Sequence, residues 1–140
     1  MKALFMDDSE LTKLLGASEA FSLAPKSALE ALVAAGEVKA IAEGEVLISQ
    51  GMTGEAIWLL LEGDLEVLVG EQIVNQVSER GEVLGEISAV SLTPATATVR
   101  STKTGKALCI PHKDLNAVIK ETPELAASML RSMAKYMGRM

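Results

Sequence analysis

Between Val38 and Ile110 the chain is cut into short aliphatic runs by glycine-bearing turns, and that punctuation constrains the fold more than any other feature. The turns are Glu43-Gly44-Glu45, Gly51-Met52-Thr53-Gly54, Glu62-Gly63-Asp64, Gly70-Glu71 and Gly81-Glu82. Runs of about five residues rich in Val, Ile and Leu, spaced roughly ten residues apart, predict antiparallel strands in a sandwich or barrel. Leu65, Val67 and Val69 alternate with Glu66 and Leu68, which predicts one fully buried face and one mixed face. No long linker interrupts the region, so it reads as one jelly-roll-like unit.

Helical signals flank it. Ser9 and Glu10 ahead of Leu11, Leu14 and Leu15 predict a short capped helix that stops near Gly16. A second helix is expected from Pro25, with Leu29, Leu32 and Val33 as its apolar stripe and Gly36 at its end. After a last strand, Ala107-Leu108-Cys109-Ile110, helical spacing returns with Leu115, Val118 and Ile119. Thr122 as N-cap and Pro123 at the first helical position then open a final helix to Met140. Its apolar positions are Leu125, Met129, Met133, Tyr136 and Met140, and a second row of Leu130, Met133 and Met137 widens the stripe. The stripe is expected to dock on the core. Methionine also suits a surface that repacks against a ligand or a partner helix.

The expected fold is therefore α+β, mainly β: an antiparallel jelly roll or sandwich flanked by N-terminal and C-terminal helices. At 140 residues and 49% hydrophobic, the chain reads as a single domain. Its parts are N-terminal helices over 1–36, a β-roll over 37–110 and C-terminal helices over 111–140.

Composition narrows the chemistry. The longest apolar run, Ala56 to Leu61, has six residues, where a membrane span needs about 20. The opening Met1-Lys2-Ala3-Leu4-Phe5-Met6 meets Asp7-Asp8 too soon for a secretory leader. Cys109 is the one cysteine, which fits a reducing cytoplasm and forbids a cysteine-based zinc site. His112 is the one histidine, so no two-histidine metal triad can be built. A cupin-like metal enzyme is not expected on the same ground; no catalytic residues, metal ligands or cofactor are expected. A net charge of −6 argues against nucleic acid as the main partner. Residues 1–99 hold 5 basic and 16 acidic side chains against 8 and 3 in residues 100–140; the basic end is read as a solvated helix face.

The most distinctive stretch is Gly81-Glu82-Val83-Leu84-Gly85-Glu86-Ile87-Ser88-Ala89-Val90, followed by Thr93-Pro94-Ala95-Thr96-Ala97-Thr98-Val99. Gly85 permits close backbone approach, and Glu86 to Val90 can form one helical turn. Backbone N–H groups at the start of such a turn offer an anion site. A carboxylate beside that site suits a sugar phosphate, whose hydroxyl it can accept; by itself the motif also fits a β-turn with a surface glutamate.

Taken with its surroundings, the sequence resembles the cyclic nucleotide-binding domain family over nearly the whole chain. Gly44-Glu45-Val46-Leu47-Ile48-Ser49-Gln50-Gly51 and Ile57-Trp58-Leu59-Leu60-Leu61-Glu62-Gly63 are similar to the family's first signature. Leu84 to Val99 is similar, without a gap, to its phosphate-binding cassette, here residues 84–99, and the last helix resembles its base-capping helix. The resemblance implies that Glu86 accepts from a ribose 2′-hydroxyl, and that Gly85, Ile87 and Ser88 line the sugar phosphate. It implies that Thr96, at the position after the family's arginine, meets the phosphate through its backbone N–H, with Ala95 and Ala97 beside it in the site. The Thr96 hydroxyl is similar to the arrangement in members that favour a guanine base.

One position departs from the family. Its phosphate-binding arginine is Ala95 here. A guanidinium supplies charge and a forked pair of hydrogen bonds. Losing such a partner from a sheltered phosphate costs roughly 2–5 kcal/mol, or about 30-fold to several thousand-fold in affinity. Nothing in the sequence places Lys103 or Lys106 at the site, and Arg100 is expected to point outward on its strand.

Other residues have plain readings: Trp58 as core, Cys109 as a buried small hydrophobe, His112 as an exposed helix-start residue, and Glu62 to Glu71 as a solvated hairpin. The resemblance implies a regulatory domain, not an enzyme, that senses cAMP, cGMP or a related sugar phosphate and moves its final helix. The alternative is a non-binding member acting as a protein interaction module. The sandwich and helices leave no residues for a helix-turn-helix, so direct DNA binding is not expected. Output would pass through a protein partner or output domain, with a homodimer through the C-terminal helix as one arrangement.

Overall fold

The computed structural model describes residues 6–91 and 93–137. Two helices lead the chain, α1 (Asp8–Ala17) and α2 (Lys26–Ala35). Asp7, not Ser9, caps the first: its carboxylate accepts from the Glu10 N–H at 2.8 Å, satisfying one of the helix's orphan donors. Pro25 takes the cap position of α2, so the helix starts at Lys26, one residue later than expected.

The strands β1 (Glu37–Ile41), β2 (Val46–Ile48), β3 (Ala56–Glu62), β4 (Leu65–Val69), β5 (Gln72–Val77), β6 (Val83–Leu84), β7 (Thr98–Ser101) and β8 (Gly105–Pro111) form two antiparallel sheets. One runs β1-β8-β3-β6 and the other β2-β7-β4-β5. This is the mainly β sandwich that the turn spacing predicts. A short helix, α3 (Glu86–Ser91), separates β6 from β7. The chain closes with α4 (His112–Glu121) and α5 (Glu124–Met137).

The apolar run of β3 is explained by burial on both faces. Ile57, Leu59 and Leu61 join Leu108 and Ile110 of β8 against Leu11, Leu15, Phe21, Leu29, Leu32, Leu115, Leu125 and Met129 of the helical layer and its connections. Ala56 and Trp58 turn the other way, clustering with Ile41, Ala107 and Cys109, while Leu60 packs with Leu65 and Val99. Each fully buried large aliphatic side chain is worth about 1.5–3 kcal/mol, so this central strand anchors both layers. Trp58 and Cys109 are core, as expected, and burial pushes the Cys109 thiol upward.

Three expectations are corrected. Along β4 the Leu65, Val67 and Val69 face runs from buried to exposed, while Glu66 and Leu68 on the other face are both buried. Thr122 ends α4 as its C-cap, and α5 starts at Glu124. Leu125 and Met129 dock in the core, but Leu130 is 54% exposed and does not widen the stripe inward. Met1 to Phe5, Met140 and the side chains of Ile87, Met133, Tyr136 and Met137 lie outside the described residues. No helix among the described residues is long and apolar enough to cross a membrane.

Candidate functional site

The cassette wraps a cavity of about 160 Å³ at the open end of the sandwich. Ile48, Gly54 and Ala56 form one wall, and Val67, Val83, Leu84 and Val99 form the apolar floor. Gly85, Glu86, Ser88, Ala95, Thr96 and Ala97 all line it, so the structure brings together six of the seven residues singled out from the sequence. Ile87 is placed in α3 by its backbone.

Local chemistry explains the shape. Gly85 has φ +89°, a left-handed conformation that glycine adopts without strain. A Cβ there would sit 3.0 Å from the Ala56 carbonyl oxygen. That close approach lets α3 begin directly against β3. Ala89 N–H donates to the Gly85 carbonyl at 3.2 Å, closing the turn. The Ser88 hydroxyl donates to the Thr93 carbonyl at 2.5 Å, tying the helix to the returning arm. That arm is pinned to the β2–β3 loop: Ala95 N–H donates to the Met52 carbonyl at 3.0 Å, and Gly51 N–H donates to the Ala95 carbonyl at 2.8 Å.

Of the described residues, Glu86 and His112 are the titratable side chains that line the cavity. Desolvation holds the Glu86 carboxyl above its ordinary value of 4.5; its own backbone N–H opposes the rise and the nearby Glu82 adds to it. No lysine or arginine lines the cavity among the described residues. Ala95 is buried in the wall where the resemblance called for arginine. Arg100 faces the opposite side of β7 and pairs with Glu66 across the sheet, and neither Lys103 nor Lys106 reaches the cavity.

His112 was missed by sequence reasoning. Its ring is half-buried, lines the cavity, and lies against Gly54, where a Cβ would come within 2.8 Å of Cε1 and 3.4 Å of the Ser88 hydroxyl. Burial pushes the imidazole below its ordinary 6.5, against the pull of the Gly54 and Ala56 backbone. Among the described residues, the buried side-chain polar atoms without a hydrogen-bond partner are His112 Nε2 and Ser132 Oγ. Ser132 lies on the wall of a groove of about 550 Å³, which shares Val67, Val83, Leu84 and Glu86 with the cassette cavity. Helix α3 also touches both β3 and α5, so the cassette is in physical contact with the final helix. No cluster of three or more His, Cys, Asp or Glu side chains is placed to hold a metal among the described residues.

A sandwich of this topology, with a glycine-started helix between β6 and β7 facing a cavity, is a β-roll. The family profile of the cyclic nucleotide-binding domain matches residues 38–122. The chain belongs to that family. It is 32% identical over 80 residues, 57% of its length, to a cGMP-dependent protein kinase of Eimeria tenella, of which that covers 8%. It is 37% identical over 67 residues, 45% of its length, to a cAMP-dependent protein kinase regulatory subunit of Mycosarcoma maydis, of which that covers 13%. The chain thus spans only a small part of these relatives. Its fold is similar to the N-terminal domain of a transcriptional regulator from Streptomyces coelicolor A3(2), with TM-score 0.74, 24% identity and coverage of 90% of this chain and 91% of that one.

Proposed function

We propose that this chain is a regulatory sensor whose cassette cavity binds cAMP, cGMP or a related ribose-bearing ligand, with the cyclic phosphate held weakly because Ala95 replaces the family's arginine. The observation that carries this reading is the cavity itself, where Glu86, Ser88 and Thr96 converge on one apolar-walled space. Glu86 accepts from a ribose hydroxyl, and Gly85, Ile87, Ser88, Ala95, Thr96 and Ala97 surround the sugar. The signal leaves through α3, which packs on α5: a ligand that contacts α3 in only one position of α5 shifts the population of the two positions. The output is received by a protein partner or an attached output domain, α5 being the surface that presents it, alone or as a homodimer. We place this action in the cytoplasm, on the strength of a single buried cysteine.

A second reading has its own support. The backbone N–H of Glu86 favours its own carboxylate, and no lysine or arginine among the described residues lines the cavity, which suits a non-binding member used as an interaction module. Calorimetric titration with cAMP and cGMP, run beside Ala95→Arg and Glu86→Ala, separates the two. Sensing predicts weak saturable binding, lost in Glu86→Ala and tightened more than about tenfold in Ala95→Arg. Heat from Ala95→Arg alone, with none from the native chain at millimolar ligand, establishes the interaction module.

A further inference from the structure

Apart from the Thr96 hydroxyl, which can donate or accept, the polar side chains that meet in the cassette cavity present acceptors. Glu86 contributes a carboxyl. The Ser88 hydroxyl has its proton engaged by the Thr93 carbonyl, so its oxygen is left to accept. Ala95 has its N–H engaged by Met52. The Glu86 N–H, at the start of α3, favours the ionised form of its own carboxyl against desolvation. His112 Nε2 is buried without a partner, on a ring whose protonation burial disfavours. A neutral imidazole has one acceptor nitrogen, and an unpaired buried acceptor has a standing demand for a donor. No lysine or arginine offsets this bias among the described residues.

An anionic phosphate entering here would lose its water and find no lysine or arginine among the described lining residues to replace it. Hydroxyl groups would meet what they need. The apolar floor of Val67, Val83, Leu84 and Val99 adds room for a flat, poorly solvated ring system.

We propose that the cavity takes an uncharged, hydroxyl-bearing ligand of the ribonucleoside class in preference to the corresponding phosphate, with His112 Nε2 accepting from one of its hydroxyls. This rests on the cassette cavity being the ligand site, and it narrows the ligand of that site. It also makes His112 a specificity-determining contact, on the cavity wall formed where α4 begins beneath the β2–β3 loop.

The test titrates the protein at pH 7.5 with adenosine and guanosine, and separately with cAMP and cGMP. The native chain, His112→Ala and His112→Gln are compared. Glutamine keeps an acceptor at the reach of Nε2, whereas alanine removes it. We expect one nucleoside to bind about tenfold or more tighter than its cyclic phosphate, to weaken about tenfold in His112→Ala, and to recover in His112→Gln. Unfolding monitored by circular dichroism establishes that both variants are folded, and the nucleoside-to-phosphate ratio is read within each protein. Cyclic phosphates binding more tightly than nucleosides overturn this inference and leave the sensing role intact. Nucleoside binding unchanged in His112→Ala overturns the role of the imidazole. No binding of either class by the native chain overturns both the inference and the sensing role.

Discussion

Arg100 on β7 and Glu66 on β4 stand directly opposite each other, and the Arg100 Nε donates to the Glu66 carboxylate at 2.8 Å on the face of the sheet turned away from the cavity. The basic side chain nearest the cassette in sequence is thus committed elsewhere and cannot replace the missing phosphate ligand. The pair is unequal. Glu66 is 8% exposed, whereas the Arg100 side chain retains 43% of its surface in solvent.

That inequality predicts an asymmetric mutant pair. Arg100→Gln leaves a buried carboxylate without its counter-charge and should cost about 1–3 kcal/mol. Glu66→Gln leaves a guanidinium that water can solvate and should cost less than about 1 kcal/mol. Urea denaturation of both variants measures this. Equal losses would show that the pair is held by packing and not by charge. Neither variant should alter ligand affinity.

Gly85 makes a second prediction. At φ +89°, with a Cβ only 3.0 Å from the Ala56 carbonyl oxygen, Gly85→Ala should destabilise the fold by about 1–3 kcal/mol and push α3 away from β3. Thermal unfolding reports the first effect, and hydrogen exchange at the Ala89 amide reports the second. A variant with native stability and native protection would remove the close approach from the account of the cassette.

Much of this architecture was legible because it is local. Glycine-bearing turns mark strand ends, and the cassette's gapless spacing carried Gly85, Glu86, Ser88 and the 95–97 arm to one cavity. What escaped depends on partners distant in sequence. Glu66 looked solvated inside a charged hairpin until β7 laid Arg100 across it. His112, just after Pro111, looked like an exposed helix start. Only the antiparallel pairing of Ala56 with Pro111 brings the β2–β3 loop onto that ring, and Gly54 has no side chain to hold the loop off. The glycine was visible; the ring beneath it was not.

The buried imidazole predicts a pH dependence of stability. His112 in the folded chain lies below its ordinary 6.5, so the unfolded chain binds the extra proton first. Stability tied to this group is present above pH 6.5 and is lost as pH falls from there toward the folded value. Comparing urea unfolding of the native chain and His112→Gln from pH 8 to pH 5 isolates the effect. The native chain should lose stability relative to the variant on acidification; a constant difference would show that the ring is freely solvated.

Glu86 carries the opposite sign. Its folded value is raised above 4.5, so ionising it costs the folded state more than the unfolded one. The penalty is absent below pH 4.5, grows as pH rises toward the folded value, and is constant beyond it. Glu86→Gln, which keeps an acceptor for the backbone N–H but cannot ionise, should therefore be more stable than the native chain at pH 7, with the gap closing as pH falls toward 4.5. Ligand affinity should move the other way, because a neutral amide accepts from a ribose hydroxyl less strongly than a carboxylate does. A variant less stable than the native chain at pH 7 would mean that the carboxylate holds the cassette together. A variant more stable but weaker in binding is the signature of a residue kept for its ligand at the fold's expense.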